Sequence, residues 1–255
     1  MAHRTGTYTH RGYERVVGSQ HARCDAPVEN GPVTNTQHPS ARYDDRAHGQ
    51  RYADAFQGET LPKFPVDRNM IRMLVDIVGG HPRVLDAGCG AGQVTKMLRN
   101  WGCDAVGVDA AEKLIELART AYPGLAFTVG DLRALPYPDQ DFDALVARYS
   151  VIHTAPDEVP TVVAEFARVL RPGGCLLVEF QSSGSAPTRA FDHAAAPAWA
   201  WNADEFGALL GRAGLVERAR LLCPAQPDLK YAATPEAHLI YRKSGRSLGP
   251  EPLAG

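Results

Sequence analysis

The sequence predicts an α/β protein with a doubly wound, mostly parallel sheet and helices on both of its faces. From residue 83 onward, short apolar runs alternate with segments of helical periodicity. The run at residues 175–180 barely alternates between apolar and polar side chains, as expected of a strand that is buried on both faces. Strands joined by helices at this rhythm form parallel units, which predicts a doubly wound sheet.

The first part of this pattern contains four strands and three helices. Apolar residues recur on one face of residues 93–101 and of residues 111–122, which predicts a helix after each of the first two strands. A third helix is predicted at residues 160–170, after the fourth strand. The four strands are predicted at residues 83–88, 105–109, 126–129 and 143–148.

The second part begins at the sequence Arg171-Pro-Gly-Gly, which predicts a turn before the strand at 175–180. Residues 181–201 are rich in Ser, Ala and Pro and are predicted to form a lid-like insertion. Asn202, with Glu205 three residues later, is a capping-box pattern that predicts the start of a further helix, and Gly214 predicts its end. Two terminal strands, at 215–223 and 238–242, bring the predicted sheet to seven strands.

Composition divides the chain near its N-terminus. Residues 1–50 contain no Leu, Ile, Phe or Trp. A segment so poor in apolar side chains cannot offset the entropy of ordering itself. We therefore predict a flexible arm at residues 1–42, a main domain at 43–245 and a tail at 246–255.

Charge and composition also exclude several classes of protein. Lys and Arg total 27 against 29 Asp and Glu, so the basic surplus typical of nucleic-acid-binding proteins is missing. No apolar run approaches the length of a membrane span or of a signal peptide, which favours a cytoplasmic protein without a membrane partner. The five cysteines have no metal-binding spacing, and we expect reduced thiols and no metal.

The strongest chemical signal is a strand that runs into a glycine turn at the start of a helix, at residues 84–93. Gly88, Gly90 and Gly92 lack a Cβ where the turn is tight and where a ligand must approach the backbone. Asp86 stands two residues before the first of them. A carboxylate there repels a diphosphate but suits an ammonium group, so the turn favours a cofactor with a cationic amino-acid portion over a dinucleotide.

Two further acids follow predicted strands. Asp109 ends the second strand, where a carboxylate can accept hydrogen bonds from ribose hydroxyls. Asp131 follows the third strand and is a candidate acceptor for an adenine amino group, and the neighbouring Leu132 offers an apolar contact. The order of these acids predicts a binding site for an adenosine-containing cofactor.

With these residues the sequence resembles the class I S-adenosylmethionine-dependent methyltransferases, in particular the small-molecule and quinone enzymes of the ubiquinone/menaquinone type. The resemblance spans about residues 43–243 and is carried by residues 84–92, 108–109, 130–143 and 165–174. It implies a Rossmann-like seven-stranded fold and S-adenosylmethionine as the cofactor. It further implies that residues 43–245 are the methyltransferase domain and that the partner is a small methyl acceptor.

The resemblance also implies roles for individual residues. Asp86, Gly88 and Gly90 would face the methionine portion, and the backbone carbonyl of Arg148 would accept a hydrogen bond from its amino group. Tyr43 and Tyr52 match N-terminal tyrosines that close over the cofactor in such enzymes, although packing within a helix explains them equally well. The predicted cofactor-binding residues are Tyr43, Tyr52, Asp86, Ala87, Gly88, Cys89, Gly90, Gly92, Asp109, Ala110, Asp131, Leu132 and Arg148.

Two histidines are candidates for catalysis. His153 lies just past the fourth strand and is the first candidate for a general base, with a structural role as the alternative. His193, beside Asp192 in the insertion, is the second. The aromatic residues of the insertion either line a substrate pocket or pack the insertion onto the sheet; they are Phe191, Trp199 and Trp201.

Three functions stay open at this point. The first is methyl transfer to a small hydrophobic or aromatic metabolite, at oxygen, nitrogen or carbon, in bacterial secondary metabolism. The second is a quinone-type C-methyltransferase, and the third is a non-catalytic protein that binds S-adenosylmethionine. A nicotinamide oxidoreductase is disfavoured by Asp86 and by the glycine spacing. We expect no nucleic-acid partner, and a homodimer is left open.

Overall fold

The computed structural model of the chain describes residues 65–191, 193, 197–225 and 234–245. Within these residues, seven strands form the main sheet and a separate pair of short strands forms a hairpin. The main strands are β1 (Arg83–Ala87), β2 (Asp104–Asp109), β3 (Ala126–Val129), β4 (Phe142–Arg148), β5 (Leu170–Gln181), β8 (Leu215–Cys223) and β9 (Glu236–Lys243). The hairpin consists of β6 (Arg189–Phe191) and β7 (Ala198–Ala200).

The strand order of the main sheet is β3-β2-β1-β4-β5-β9-β8. Strands β1 to β5 pair in parallel, whereas β9 is antiparallel to β5 and β8 is antiparallel to β9. The prediction of a mostly parallel, seven-stranded, doubly wound sheet is therefore confirmed.

Helices cover both faces of the sheet. They are α1 (Pro65–Val78), α2 (Gln93–Asn100), α3 (Glu112–Ala121), α4 (Val159–Val169) and α5 (Ala203–Arg212). Because successive side chains of a strand point to opposite faces, Leu145 and Val146 of β4 enter different cores. Leu145 packs with Phe166 of α4 and Phe206 of α5, and Val146 packs with residues of α1 and α2.

Helix α1 lies in the predicted main domain but was not predicted as an element. Its buried face is formed by Met70, Ile71, Leu74 and Val75, whose spacing is that of an amphipathic helix. The one charged residue buried on this face is Asp67, in the first turn. The helix packs against β4, β5 and β9, so it places this carboxyl group over the centre of the sheet.

Two local predictions need correction. The predicted turn at 171–174 lies inside β5, where the pairing with β4 jumps from Phe142 opposite Leu170 to Ala144 opposite Cys175, so these residues bulge from the strand.

Asn202 caps α5 as predicted, because its Oδ1 accepts from the backbone N–H groups of Asp204 (2.9 Å) and Glu205 (3.2 Å).

The prediction that Glu205 completes a capping box with Asn202 was wrong. The Glu205 carboxylate does not reach back to the cap; it accepts hydrogen bonds from the backbone N–H (3.1 Å) and from the hydroxyl (2.6 Å) of Thr188. The hydroxyl of Thr188 in turn accepts a hydrogen bond from the Asn202 backbone N–H (3.1 Å). Thr188 belongs to the segment predicted as a lid-like insertion, which is thereby tied to the start of α5.

The predicted arm at residues 1–42 and the predicted tail at 246–255 lie outside the described residues. The insertion at 181–201 contains the β6–β7 hairpin, and β7 packs against a 3₁₀ turn at Val151–His153. Among the helices that the structure describes, none has the length and apolar character needed to cross a membrane.

Candidate functional site

The glycine turn after β1 is closed by the backbone of β2. The N–H groups of Gly88 and Cys89 both donate to the carbonyl of Val108, at 2.8 and 3.0 Å. Gly88, Gly90 and Gly92 have φ angles of 80°, 53° and 86°, in the left-handed region that disfavours other residues. The turn that the sequence predicts is therefore present, and its backbone conformation requires these glycines.

Two of the glycines also make room for the protein's own side chains. A Cβ on Gly88 would lie 2.2 Å from the Cβ of Ser150, and a Cβ on Gly92 would lie 2.6 Å from the Cζ of Phe127. The sequence predicts the approach of a ligand as the reason for the missing Cβ atoms. Internal packing is a second reason, which no pattern within the turn indicates.

Asp109 joins the glycine turn to the start of α3. Its Oδ2 accepts from the backbone N–H of Gly90 (2.9 Å), and its Oδ1 accepts from that of Ala111 (2.8 Å). These two bonds orient the carboxylate. The carboxylate is thus fixed at the carboxyl end of β2, next to the partly exposed Ala110.

Asp86 is the buried carboxyl group of the site. It is 2% exposed and accepts a hydrogen bond from the hydroxyl of Thr95 at 2.6 Å. Burial raises the pKa of Asp86 to about 7, even though the hydrogen bond from Thr95 acts in the opposite direction. The nearby charge of Asp109 raises it further. A cationic ligand group beside Asp86 would favour the ionised form, so this pair of carboxyl groups suits an ammonium-bearing ligand.

Asp131 is oriented by Arg133. Its Oδ1 accepts from the backbone N–H of Arg133 (2.8 Å), and its Oδ2 accepts from the guanidinium Nη2 (2.7 Å). Arg133 also pairs with Glu158, which leads into α4. Leu132 packs, partly buried, against the larger core. The contact with adenine stays a prediction for both Asp131 and Leu132.

Arg148 contributes a side chain that sequence analysis did not consider. The guanidinium is 13% exposed, and its Nε lies 3.0 Å from Oδ2 of Asp67 and 3.3 Å from Oε2 of Glu179. Beyond it, the Tyr149 N–H donates to the Glu179 carbonyl (2.8 Å). Glu179 is a charged residue inside the otherwise apolar run at residues 175–180 of β5, and this signal could have identified it.

The two predicted catalytic histidines lie together. The rings of His153 and His193 meet edge to face with centroids 5.1 Å apart, and Phe191 contacts His193 at 5.8 Å. The Nδ1 of His153 is 3.0 Å from the carbonyl of Pro197. Because a carbonyl only accepts, Nδ1 carries the proton and Nε2 is the acceptor nitrogen of the neutral ring. Burial lowers the pKa of His153 to about 4, so the ring is neutral near pH 7.

Of the aromatic residues in the insertion, Trp201 serves packing. It is 3% exposed and meets Phe206 of α5 edge to face at 5.1 Å. Phe191 and Trp199 are partly buried against the same core. Trp201 therefore packs the insertion onto the core, whereas Phe191 and Trp199 stay partly exposed.

The remaining predicted residues fall into two groups. Ala87 and Cys89 are buried in the glycine turn, where burial raises the pKa of the Cys89 thiol well above its ordinary value. Tyr43, Tyr52 and Asp192 lie outside the described residues, so their predicted roles stay predictions.

Comparison with known proteins agrees with this geometry. Residues 84–174 match a family model described as a methyltransferase domain. The chain is 31% identical over 143 residues to demethylmenaquinone methyltransferase of Renibacterium salmoninarum, covering 51% of this chain and 60% of that protein. It is 30% identical over 146 residues to malonyl-[acyl-carrier protein] O-methyltransferase of Serratia marcescens, covering 55% and 56%. The matched region thus spans less than two thirds of the length of these curated relatives.

Among solved structures, the fold is similar to 1,6-didemethyltoxoflavin-N1-methyltransferase of Burkholderia thailandensis, with bound 1,6-didemethyltoxoflavin and S-adenosylhomocysteine. The TM-score is 0.60 at 21% identity, covering 86% of this chain and 93% of that one. Residues 84–174 thus match a methyltransferase domain, the fold is similar to that of class I S-adenosylmethionine-dependent methyltransferases, and the curated relatives include demethylmenaquinone methyltransferases.

Proposed function

We propose that this protein transfers the methyl group of S-adenosylmethionine to a small hydrophobic or aromatic metabolite by in-line displacement. The observation that carries the proposal is the fixed imidazole of His153 at the carboxyl end of β4, close to a glycine turn flanked by acidic residues. Ligands of open α/β sheets bind at this edge. A cytoplasmic location and a role in bacterial secondary metabolism form part of the proposal and rest on the sequence.

The cofactor side of the proposal rests on the chemistry of the donor set. Asp86 and Asp109 offer carboxylates at the ends of adjacent strands, one suited to an amino group and the other to ribose hydroxyls. Asp131 would accept the adenine amino group. S-adenosylmethionine, when bound, supplies a methyl group on a positively charged sulfur. The residues present fit such a ligand better than a diphosphate, which the carboxylates would repel.

The acceptor side rests on the two histidines and the hairpin above them. With its Nδ1 proton held by Pro197, His153 would use Nε2 to take a proton from the hydroxyl, amine or acidic carbon of the acceptor. The β6–β7 hairpin packs on the same 3₁₀ turn and would keep water from the reacting atoms. His193 would line the acceptor pocket beside Phe191.

The names of a demethylmenaquinone enzyme and of a 1,6-didemethyltoxoflavin enzyme support a small acceptor, but the names of the relatives do not agree on one acceptor atom. One relative is an O-methyltransferase by its name, a structural neighbour is an N1-methyltransferase, and another relative acts on demethylmenaquinone. A quinone-type C-methylation therefore remains the alternative within the same proposal.

The test is methyl transfer from radiolabelled S-adenosylmethionine to a panel of phenols, quinols and nitrogen heterocycles. We expect turnover with at least one class. We expect His153→Gln to lower kcat by about 10²-fold, the low end of general-base effects, because a pKa of about 4 makes this imidazole a weak base near pH 7. Binding of S-adenosylhomocysteine should stay within about twofold, because His153 acts on the acceptor.

His81→Gln is the matched control. Its Nδ1 also pairs with a backbone carbonyl, that of Gly102 at 3.2 Å, but at an exposed position. It should leave kcat unchanged. Cofactor binding without turnover across the panel would instead favour a non-catalytic binding protein, and equal effects of the two histidine variants would remove the role of His153.

A further inference from the structure

A buried cluster of charged side chains lies beside the proposed cofactor site. Asp67, Glu179 and His238 are each at most 1% exposed, and the Arg148 side chain between them is 13% exposed. These four residues, here called the ion network, come from α1, β5, β9 and β4 respectively. Charged groups are rarely buried unless they are paired, so the arrangement requires an explanation.

The guanidinium of Arg148 bridges two carboxylates in the ion network. It contacts Asp67 through Nη2 and Nε, and its Nε lies 3.3 Å from Oε2 of Glu179. On the other side, Nδ1 of His238 lies 3.1 Å from Oε1 of Glu179 and 3.9 Å from Oδ1 of Asp67. The network thus connects the first turn of α1 to three strands at the carboxyl edge of the sheet.

The charge balance favours a protonated His238. Burial by itself would lower the pKa of His238, but the hydrogen bond to Glu179 and the charges of Glu179, Asp67 and Glu236 outweigh it and raise the pKa. The Nε2 of His238 lies 3.9 Å from Glu236, also on β9, and the residue opposite it on β8 is the uncharged Leu221. Among the described residues, Arg148 on β4 is the other cation that contacts this cluster.

Asp67, Glu179 and His238 also have the ligand chemistry of a metal site, since one atom from each lies within 4.8 Å of the others. The Arg148 guanidinium contacts both carboxylates of this group and already supplies positive charge there. A metal ion would have to displace it. The observations therefore favour a network of ion pairs.

The ion network continues into the proposed cofactor site through the chain that follows Arg148. Tyr149 has a φ of 48°, a strained value for a residue other than glycine, and its N–H donates to the Glu179 carbonyl at 2.8 Å. The hydroxyl of Ser150 donates to the carbonyl of Ala87 at 2.8 Å, next to the tight contact of Ser150 with Gly88. Residues 148–150 are thus held between the network and the glycine turn.

We propose that the ion network is a positioning device that holds residues 148–150 against the glycine turn and thereby sets the affinity for the cofactor. The part that concerns the cofactor rests on the proposed function. A buried ion network is weak evidence for stability, because well-packed apolar residues often serve at least as well. Alignment of the strained end of β4 is the role that the contacts of the network indicate.

The test compares Asp67→Asn with Asp76→Asn in the full chain. Both residues lie on α1, but Asp76 is exposed and pairs only with the exposed Arg72 among the described residues. The rate of hydrogen exchange in the peptide that covers residues 148–152 reports how firmly residues 148–150 are held. Calorimetric titration with S-adenosylhomocysteine reports the affinity for the cofactor. We expect Asp67→Asn to speed exchange and to weaken affinity at least about tenfold, which is about 1.4 kcal/mol. Asp76→Asn should change neither.

A pH series gives a readout that a purely structural role would not change. A raised pKa means that the imidazolium contacts of His238 are present at low pH and are lost as the pH rises through that value. Wild-type affinity should therefore fall at alkaline pH, above the ordinary histidine range near 6.5. The part of the fall that is due to His238 should move to lower pH in Asp67→Asn, which removes one negative charge, and should be absent from His238→Gln, which keeps only the fall caused by deprotonation of the ligand's own ammonium group. His238→Gln also keeps the test usable if Asp67→Asn fails to fold.

The outcomes separate the two proposals. Unchanged exchange in Asp67→Asn would overturn the positioning role, as would faster exchange with unchanged affinity. An alkaline fall that is the same in His238→Gln as in the wild type would remove His238 from the device. If the wild type binds neither S-adenosylmethionine nor S-adenosylhomocysteine, the proposed function fails, and the exchange measurement alone then decides whether the network holds residues 148–150.

Discussion

Replacing Gly88 by alanine tests the packing between the glycine turn and the end of β4. Its φ of 80° costs a residue with a Cβ about 1–2 kcal/mol. The new Cβ would lie 2.2 Å from the Cβ of Ser150, whereas ordinary contacts begin at 3.4 Å, so one backbone must move by about 1.2 Å (3.4 − 2.2). Overpacking of this kind costs about 1–3 kcal/mol. Gly88→Ala should therefore lower the free energy of unfolding by about 2–5 kcal/mol.

Urea denaturation measures this loss, and Gly79→Ala is the matched control. Gly79 has a φ of 71° but no atom within 4 Å of its added Cβ, so it should lose only the backbone contribution of about 1–2 kcal/mol. Adding Ser150→Gly to Gly88→Ala should recover the contact contribution, less about 1 kcal/mol for the lost hydrogen bond to Ala87. Equal losses in the two alanine variants, or additive effects at positions 88 and 150, would refute the reasoning.

Three further predictions follow from single contacts. The pKa of Asp86 is about 7, and an ammonium group favours its ionised form. Calorimetry should therefore show the affinity for S-adenosylhomocysteine falling about tenfold per pH unit below 7. In Asp86→Asn the affinity should not change with pH in that range. Asp109→Asn should weaken the same affinity by about 10–100-fold, whereas Asp104→Asn, at the exposed start of the same strand, should not. Asn202→Ala should cost about 0.5–2 kcal/mol in urea denaturation, and no loss would contradict its role as the cap of α5.

Most of the fold could be predicted because its signals are local. Apolar runs and helical periodicity identify the strands and the helices between them, and parallel strands bring their carboxyl ends to one edge. That rule alone placed Asp86, Asp109 and Asp131 at the carboxyl ends of β1, β2 and β3. It also placed His153 beyond β4. Each of these residues can be placed once the strand that precedes it is identified.

The wrong or missing details depend on partners that are distant in sequence. Glu205 has the right spacing for a capping box, but Thr188 competes for its carboxylate from 17 residues away. Gly88 looks like a residue that makes room for a ligand until the structure brings Ser150 against it. Spacing within one segment cannot reveal either partner.

The ion network shows what sequence and topology can achieve together. Glu179 and His238 interrupt the buried, mainly apolar parts of β5 and β9, and a charge in a strand that is buried on both faces must find a partner. Once β9 is known to lie beside β5, their register puts these two residues directly opposite each other. Both buried charges are visible in the sequence, but the sequence does not show that β9 lies beside β5. Without knowing that these strands are neighbours, a reader of the sequence would assign Glu179 and His238 separate roles. The participation of Asp67 is harder to predict, because it lies on α1 and no strand register fixes the position of a helix over the sheet. Charges that interrupt buried strands are therefore best interpreted after the strand order is known. In this fold, that order brings Glu179 and His238 together beside Arg148 at the end of β4.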